Sequence, residues 1–162
     1  MMSVVLAAGG TFPLLPVLVV LPVFGALAIA LTPSTRSETA RIIALMTTVM
    51  TAALGIYLLW NFDATDGTFQ NLSSQSWIES LGISWLAGVD GISLWLIVLT
   101  VLLFPLAIYA VIPEHSPKPY YAWLLVLQTG CLGVFVALDL FMFFVFFEIV
   151  LVPMYFLIAN WG

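Results

Sequence analysis

Five stretches of this 162-residue chain are each long and apolar enough to cross a lipid bilayer, and that repeat limits the fold more than any other feature. A hydrocarbon core of about 30 Å asks for about 20 apolar residues in helix. The runs are Phe12 to Leu31, Ile42 to Trp60, Gly91 to Ile112, Tyr120 to Ala137 and Leu140 to Ile158. The last two come from one continuous stretch that is too long for a single span and has a charge, Asp139, at its middle. It therefore divides at Leu138-Asp139. In lipid, backbone N–H and C=O groups must find partners within the protein, which leaves helices or closed barrels. The expected fold is an all-α, polytopic transmembrane bundle, one membrane domain over residues 1–162 with an outer loop over 61–90.

Composition excludes most alternatives. Only 7% of residues are charged and 64% are hydrophobic, with a mean hydropathy of +1.21, whereas soluble domains carry about 25% charge. Three cations, Arg36, Arg41 and Lys118, stand against eight acids for a net charge of -5. That balance gives no basic surface for nucleic acid. One cysteine, Cys131, permits no internal disulfide, and one histidine, His115, permits no histidine pair for a metal. With no Gly-rich phosphate loop and no Ser/His/Asp set, redox or hydrolytic chemistry and bound cofactors are not expected within the chain. Ala26-Leu27-Ala28 resembles a leader-peptide cleavage site, but no Lys or Arg precedes Arg36, so the first run reads as a retained span.

Orientation follows the cations. Arg36 and Arg41 lie in the first connection, Thr32 to Arg41, and Lys118 lies in the third, Pro113 to Pro119. The long second connection, Asn61 to Asp90, has no cation but carries Asp63, Asp66 and Glu79. The positive-inside rule puts the first and third connections in the cytoplasm and the second outside. The N-terminus is then outside and the C-terminus inside. Within the outer loop, Asn61 to Ser76 is polar and turn-rich. From Trp77 to Val89, alternation of Leu81, Ile83, Trp85 and Ala87 with smaller or polar residues predicts one short interfacial strand. Pro113 to Pro119 reads as a stiff, extended turn.

Glu148 is the residue most able to carry chemistry. It lies near the middle of the fifth run, between Phe143-Phe144-Val145-Phe146-Phe147 and Ile149-Val150-Leu151-Val152. A charge at that depth costs about 2.5–3.5 kcal/mol on insertion scales, and intramembrane ionisable residues mark ion or proton pathways by default. Burial disfavours the ionised form and a nearby cation favours it, so a carboxyl held between those influences can load and release a proton. None of the cations lies within a span, so either Glu148 stays neutral or its cationic partner belongs to helices outside these five. Pro153, five residues on, frees the Ile149 carbonyl and kinks the helix beside the site. Phe144, Leu151 and Tyr155 share the Glu148 face by helical spacing and are candidate channel lining. Gln128 and Thr129, uncharged polar residues in the fourth run, are further lining candidates. Thr129 is expected to bond the Leu125 carbonyl and Gln128 to bond across helices. Gly130, Gly133 and Ala137 form a stripe that admits a close neighbour. Asp90 and Asp139 each precede an apolar run and suit helix N-caps. Asp63, Asp66, Glu79 and His115 read as solvated.

Val89-Asp90-Gly91-Ile92-Ser93-Leu94, then Leu132 to Phe141, and most specifically Phe147-Glu148-Ile149-Val150-Leu151-Val152-Pro153-Met154-Tyr155-Phe156-Leu157-Ile158 with Trp161-Gly162, resemble a known family. It comprises the antiporter-like subunits of proton-pumping NADH:quinone oxidoreductase, respiratory complex I, and the likeness is greatest to its subunit M branch. It is close from about Gly88 to Gly162; the first two spans agree mainly in hydropathy. The resemblance implies that the chain is an N-terminal portion of a larger antiporter-like fold built from inverted repeats. It also implies that Glu148 is half of a buried glutamate–lysine pair whose lysine lies on a later helix. NADH, FMN, iron–sulfur clusters and quinone are then expected in partner subunits. Expected partners are other complex I membrane subunits, the remaining helices of the same subunit and the lipid of a bacterial inner membrane. A subunit of a multisubunit cation/proton antiporter and a non-pumping structural subunit are the alternatives.

Overall fold

The computed structural model describes residues 13–33, 37–65, 68–78 and 83–162. Five long helices carry the fold: α1 (Leu14–Leu31), α2 (Ser37–Trp60), α3 (Gly91–Ala110), α4 (Pro117–Val136) and α5 (Leu140–Trp161). Between α2 and α3 lie two strands, β1 (Gln70–Ile78) and β2 (Ile83–Val89). All five helices are long and apolar enough to cross a membrane.

Helix ends depart from the hydropathy reading for local reasons. α2 starts at Ser37 rather than Ile42, so Arg41 is helical, with Glu38 in the first turn where a carboxylate favours the helix dipole. α4 starts at Pro117 rather than Tyr120. Pro117 fits there because the first helical residue has no backbone bond to donate and proline already holds the required φ. The extended turn expected over 113–119 is thus shorter. α5 runs on to Trp161, beyond the expected Ile158. Asp139 caps it, accepting from the Phe141 N–H at 2.9 Å and the Met142 N–H at 3.2 Å. Asp90 caps α3 through a reciprocal pair: Ser93 N–H donates to its carboxylate at 2.7 Å, and Asp90 N–H donates to the Ser93 hydroxyl at 2.9 Å.

The connection between α2 and α3 holds more β structure than its pattern predicts. β1 and β2 pair antiparallel from Gln70↔Val89 to Ile78↔Ile83, with two irregularities in register. β1 lies mostly where the sequence reads as polar loop. Gln70-Asn71-Leu72-Ser73-Ser74-Gln75-Ser76 offers little apolar alternation, so its pairing comes from β2 rather than from propensity. Trp77 and Trp85 lie on these strands, while Arg36, Asp66 and Glu79 fall outside the described residues. The hairpin is tied to the helices at the α4–α5 junction, where Leu138 N–H donates to the Leu86 carbonyl at 2.9 Å and Ala87 bridges Ala137.

α4 is the central helix, packed against α1, α2, α3 and α5. Its small residues permit this. A Cβ on Gly130 would stand 2.7 Å from a Val150 methyl, and one on Gly133 would overlap the Phe146 ring. α1 and α2 approach each other in the same way, at Gly25 and Thr47. The interior therefore mixes Leu and Ile with Ala, Gly and Thr, while Phe24, Met46, Leu99 and Leu103 face outward. That distribution suits helices solvated by lipid, where association rests on close packing rather than on hiding apolar surface.

Gly133→Ala should lower the thermal midpoint of the purified protein in detergent by several degrees, since overpacking costs about 1–3 kcal/mol. Gly91→Ala, where an added Cβ meets nothing within 4 Å, should leave it unchanged. The Asp90 carboxyl is held below its usual value by the Ser93 backbone N–H and then the Ser93 hydroxyl, which outweigh burial. A depressed carboxylate contributes stability that is complete above its unfolded value and lost as pH falls through its folded value. Acid titration should therefore destabilise the wild type below about pH 4 more than Asp90→Asn, which keeps a capping side chain.

Candidate functional site

Glu148 is the ninth residue of α5, a helix of 22 residues, about 12 Å from its start at 1.5 Å per residue. The azimuth of α5 is set by its contact with α4. Val150 packs on Gly130, Phe146 on Gly133, and Phe156 stacks on Trp123 with ring centroids 4.8 Å apart. Met142, Phe146 and Pro153 are its buried residues. Glu148 is about 200° around the helix from both Phe146 and Val150, and it is exposed. Phe141, Phe144, Leu151, Val152 and Tyr155 share its face and are exposed as well. The result is one carboxyl in the middle of an exposed aromatic and aliphatic face.

No cation within the described residues reaches that face. Lys118 lies at one end of the bundle, where its ammonium donates to the carbonyls of Ala30 at 3.0 Å and Thr32 at 2.6 Å. Arg41 donates to the Tyr109 carbonyl at 3.0 Å. Both cations thus sit on the C-terminal ends of α1 and α3, where unpaired carbonyls and the helix dipole favour positive charge. The same end holds a clasp between the α3–α4 connection and α5. Trp161 Nε1–H donates to the His115 carbonyl at 2.8 Å, and His115 Nε2 lies 3.2 Å from the Asn160 carbonyl. His115 is therefore a docking residue and not simply solvated. Asp63 likewise organises a turn, accepting from the Thr65 N–H at 2.9 Å and the Thr65 hydroxyl at 2.7 Å. These end contacts carry no apolar periodicity and no motif. The only sequence cue was the coincidence of cations with helix ends.

The structure separates two groups that the sequence reading placed together as lining. Phe144, Leu151 and Tyr155 accompany Glu148. Gln128 and Thr129 do not. Gln128 is about 200° around α4 from Gly130 and so faces away from α5, alongside the buried Tyr121, Leu124, Leu125 and Leu132. Thr129 bonds the Leu125 carbonyl at 3.3 Å, as its position in the helix predicts. Gln128 does not bond across helices: neither side-chain polar atom has a partner among the described residues. Pro153 is buried on the Phe146 side of α5 rather than on the Glu148 side.

No family model matches the chain. Curated relatives match it over most of its length. It is 39% identical over 157 residues to chain 4 of the chloroplastic NAD(P)H-quinone oxidoreductase of Chara vulgaris, covering 93% of this chain and 31% of that protein. A chain 4 of the NAD(P)H-quinone oxidoreductase of Trichormus variabilis is 39% identical over 153 residues, covering 93% of this chain and 28% of that one. NADH-quinone oxidoreductase subunit M of Rickettsia typhi is 36% identical over 122 residues, covering 74% of this chain and 25% of that protein. The chain thus spans about three tenths of the length of the curated relatives it matches. Among solved structures, a chain of respiratory complex I from Thermus thermophilus with bound NADH superposes with a TM-score of 0.75 at 23% identity. The match covers 91% of this chain and 29% of that one, a likeness of fold.

An apolar carbodiimide partitioning into the bilayer should modify Glu148 in preference to Asp90 and Asp139, which lie at helix ends with N–H partners. Mass spectrometry should find the adduct on the peptide that contains Glu148 and lose it in Glu148→Gln. Equal labelling of all three carboxyls would show that Glu148 is as wet as the caps.

Proposed function

Over the length it covers, this chain belongs with the chain 4 and subunit M proteins of the NAD(P)H-quinone oxidoreductases, and from that kinship we propose that it forms part of the membrane arm of such an enzyme, with Glu148 carrying a proton. The observation that bears this reading is the lone carboxyl on the exposed apolar face of α5. Facing lipid, its ionised form would cost several kcal/mol; facing a helix that brings a lysine or arginine, it can ionise. The partner of that face is a further membrane helix bearing a cation, from the same subunit or a neighbouring one.

The mechanism is electrostatic. A cation drawn close favours the carboxylate and expels the proton; a cation withdrawn leaves the carboxylate stranded in hydrocarbon, and it takes a proton up. Electron transfer in other subunits drives that change of distance, so NADH, flavin, iron–sulfur clusters and quinone bind elsewhere in the assembly. Phe144 and Leu151 keep lipid-like surroundings around Glu148, and Tyr155, two turns along the same face, offers a hydroxyl to a water chain. The end bearing Lys118 and Arg41 is the cytoplasmic one by the positive-inside rule, and the hairpin lies outside. In a bacterial host the membrane is the inner one.

In proteoliposomes containing the intact enzyme, Glu148→Gln should cut proton uptake per NADH oxidised by at least half, while Glu148→Asp should retain a measurable fraction. An unchanged ratio in Glu148→Gln, with the complex fully assembled, would overturn the assignment and leave these helices a structural role.

A further inference from the structure

Gln128 is fully buried, and both polar atoms of its carboxamide lack a protein partner among the described residues. It lies 11 residues beyond the Pro117 start of a 20-residue helix, at membrane depth where bulk water is excluded. Leaving two donor hydrogens and an acceptor oxygen unmet there is unfavourable by more than the entropy of holding a water molecule.

The surroundings decide what can satisfy the amide. α1, α2 and α4 converge at one layer, because a Cβ on Gly25 would lie 2.5 Å from Thr47 Oγ1 and 3.0 Å from Leu125 Cδ1. α2 and α4 run in the same direction, since Arg41 and Lys118 near their starts reach carbonyls at the same end of the bundle. One turn further along each helix therefore puts Thr51 level with Gln128 and Thr129. Thr51 is fully buried and Thr129 nearly so. Each of these threonines has already committed its proton to its own helix: Thr47 to Ile43, Thr51 to Thr47 and Thr129 to Leu125. What they still offer is oxygen lone pairs. Those can receive from the Gln128 amide, but none of these hydroxyls can donate to its carbonyl without breaking a bond it already makes. A water molecule can do both, donating to Oε1 while accepting from Nε2 and bridging onward to a threonine oxygen.

We propose that Gln128 anchors an internal water site in the core of α1, α2 and α4, with Thr51 and Thr129 as its polar walls. The site lies across α4 from Glu148, so it stands whether or not Glu148 carries protons. Its ligand is water, and its effect is a polar station deep in an otherwise apolar bundle.

The test is X-ray hydroxyl-radical footprinting of the purified, membrane-embedded protein in oxygen-18 water, read at Leu124, Leu125 and Leu132. A bound water beside Gln128 should label these buried leucines, most tellingly the fully buried Leu125 and Leu132, and Gln128→Leu should reduce that labelling to background. Wild-type labelling at background overturns the proposal, as does labelling that persists in Gln128→Leu. If that variant does not assemble, a density map of the wild type decides. Solvent density within about 3.2 Å of both amide atoms supports the site; an amide bonded directly to protein, or packed dry, overturns it.

Discussion

In hydrocarbon a leucine gains nothing by turning inward, because the lipid outside is as apolar as the protein within. The arrangement of this chain follows from that loss of the usual driving force. Close approach takes its place. α4 lies at the centre because glycine at 130 and 133 lets α5 come up to its backbone, and Gly25 does the same between α1 and its neighbours. Threonines are tolerated inside because each hydroxyl returns its proton to its own helix. Many further large apolar side chains lie on the outside of the bundle.

The ends of the helices are held by polar contacts that the middle does not use. Lys118 and Arg41 close the carbonyl ends of α1 and α3, and Asp90 and Asp139 close the amide ends of α3 and α5. The hairpin adds a backbone bond to the junction from which α5 begins. Among the described residues, charge is thus confined to the two ends of the bundle, with a single departure. Glu148 has no end to cap, which is why its position asks for a function while those of the other acids do not.

The spans were legible because about 20 apolar residues in a row have few other uses. The two N-caps were legible because Asp before an apolar run has a specific physical role. Helix starts were less so: Ser37 and Pro117 begin their helices outside the apolar runs, where hydropathy is silent and a first-turn carboxylate or the fixed φ of proline takes over. β1 was hidden because a polar strand beside a neighbour needs no alternation of its own. The bearing of Gln128 was hidden for a different reason. Depth along a helix can be counted from sequence, but azimuth requires knowing which neighbour the glycines face. Gly130 and Gly133 turn toward α5, and that turns Gln128 away from it.

The glycine contacts have a kinematic corollary. With Val150 seated on Gly130 and Phe146 on Gly133, α5 cannot roll about its own axis without driving side chains into the α4 backbone. Glu148 therefore has a fixed bearing, like a hand on a locked dial. On the proposed mechanism, any change in what the carboxyl meets would come from movement of whatever stands opposite, with these helices as the stator.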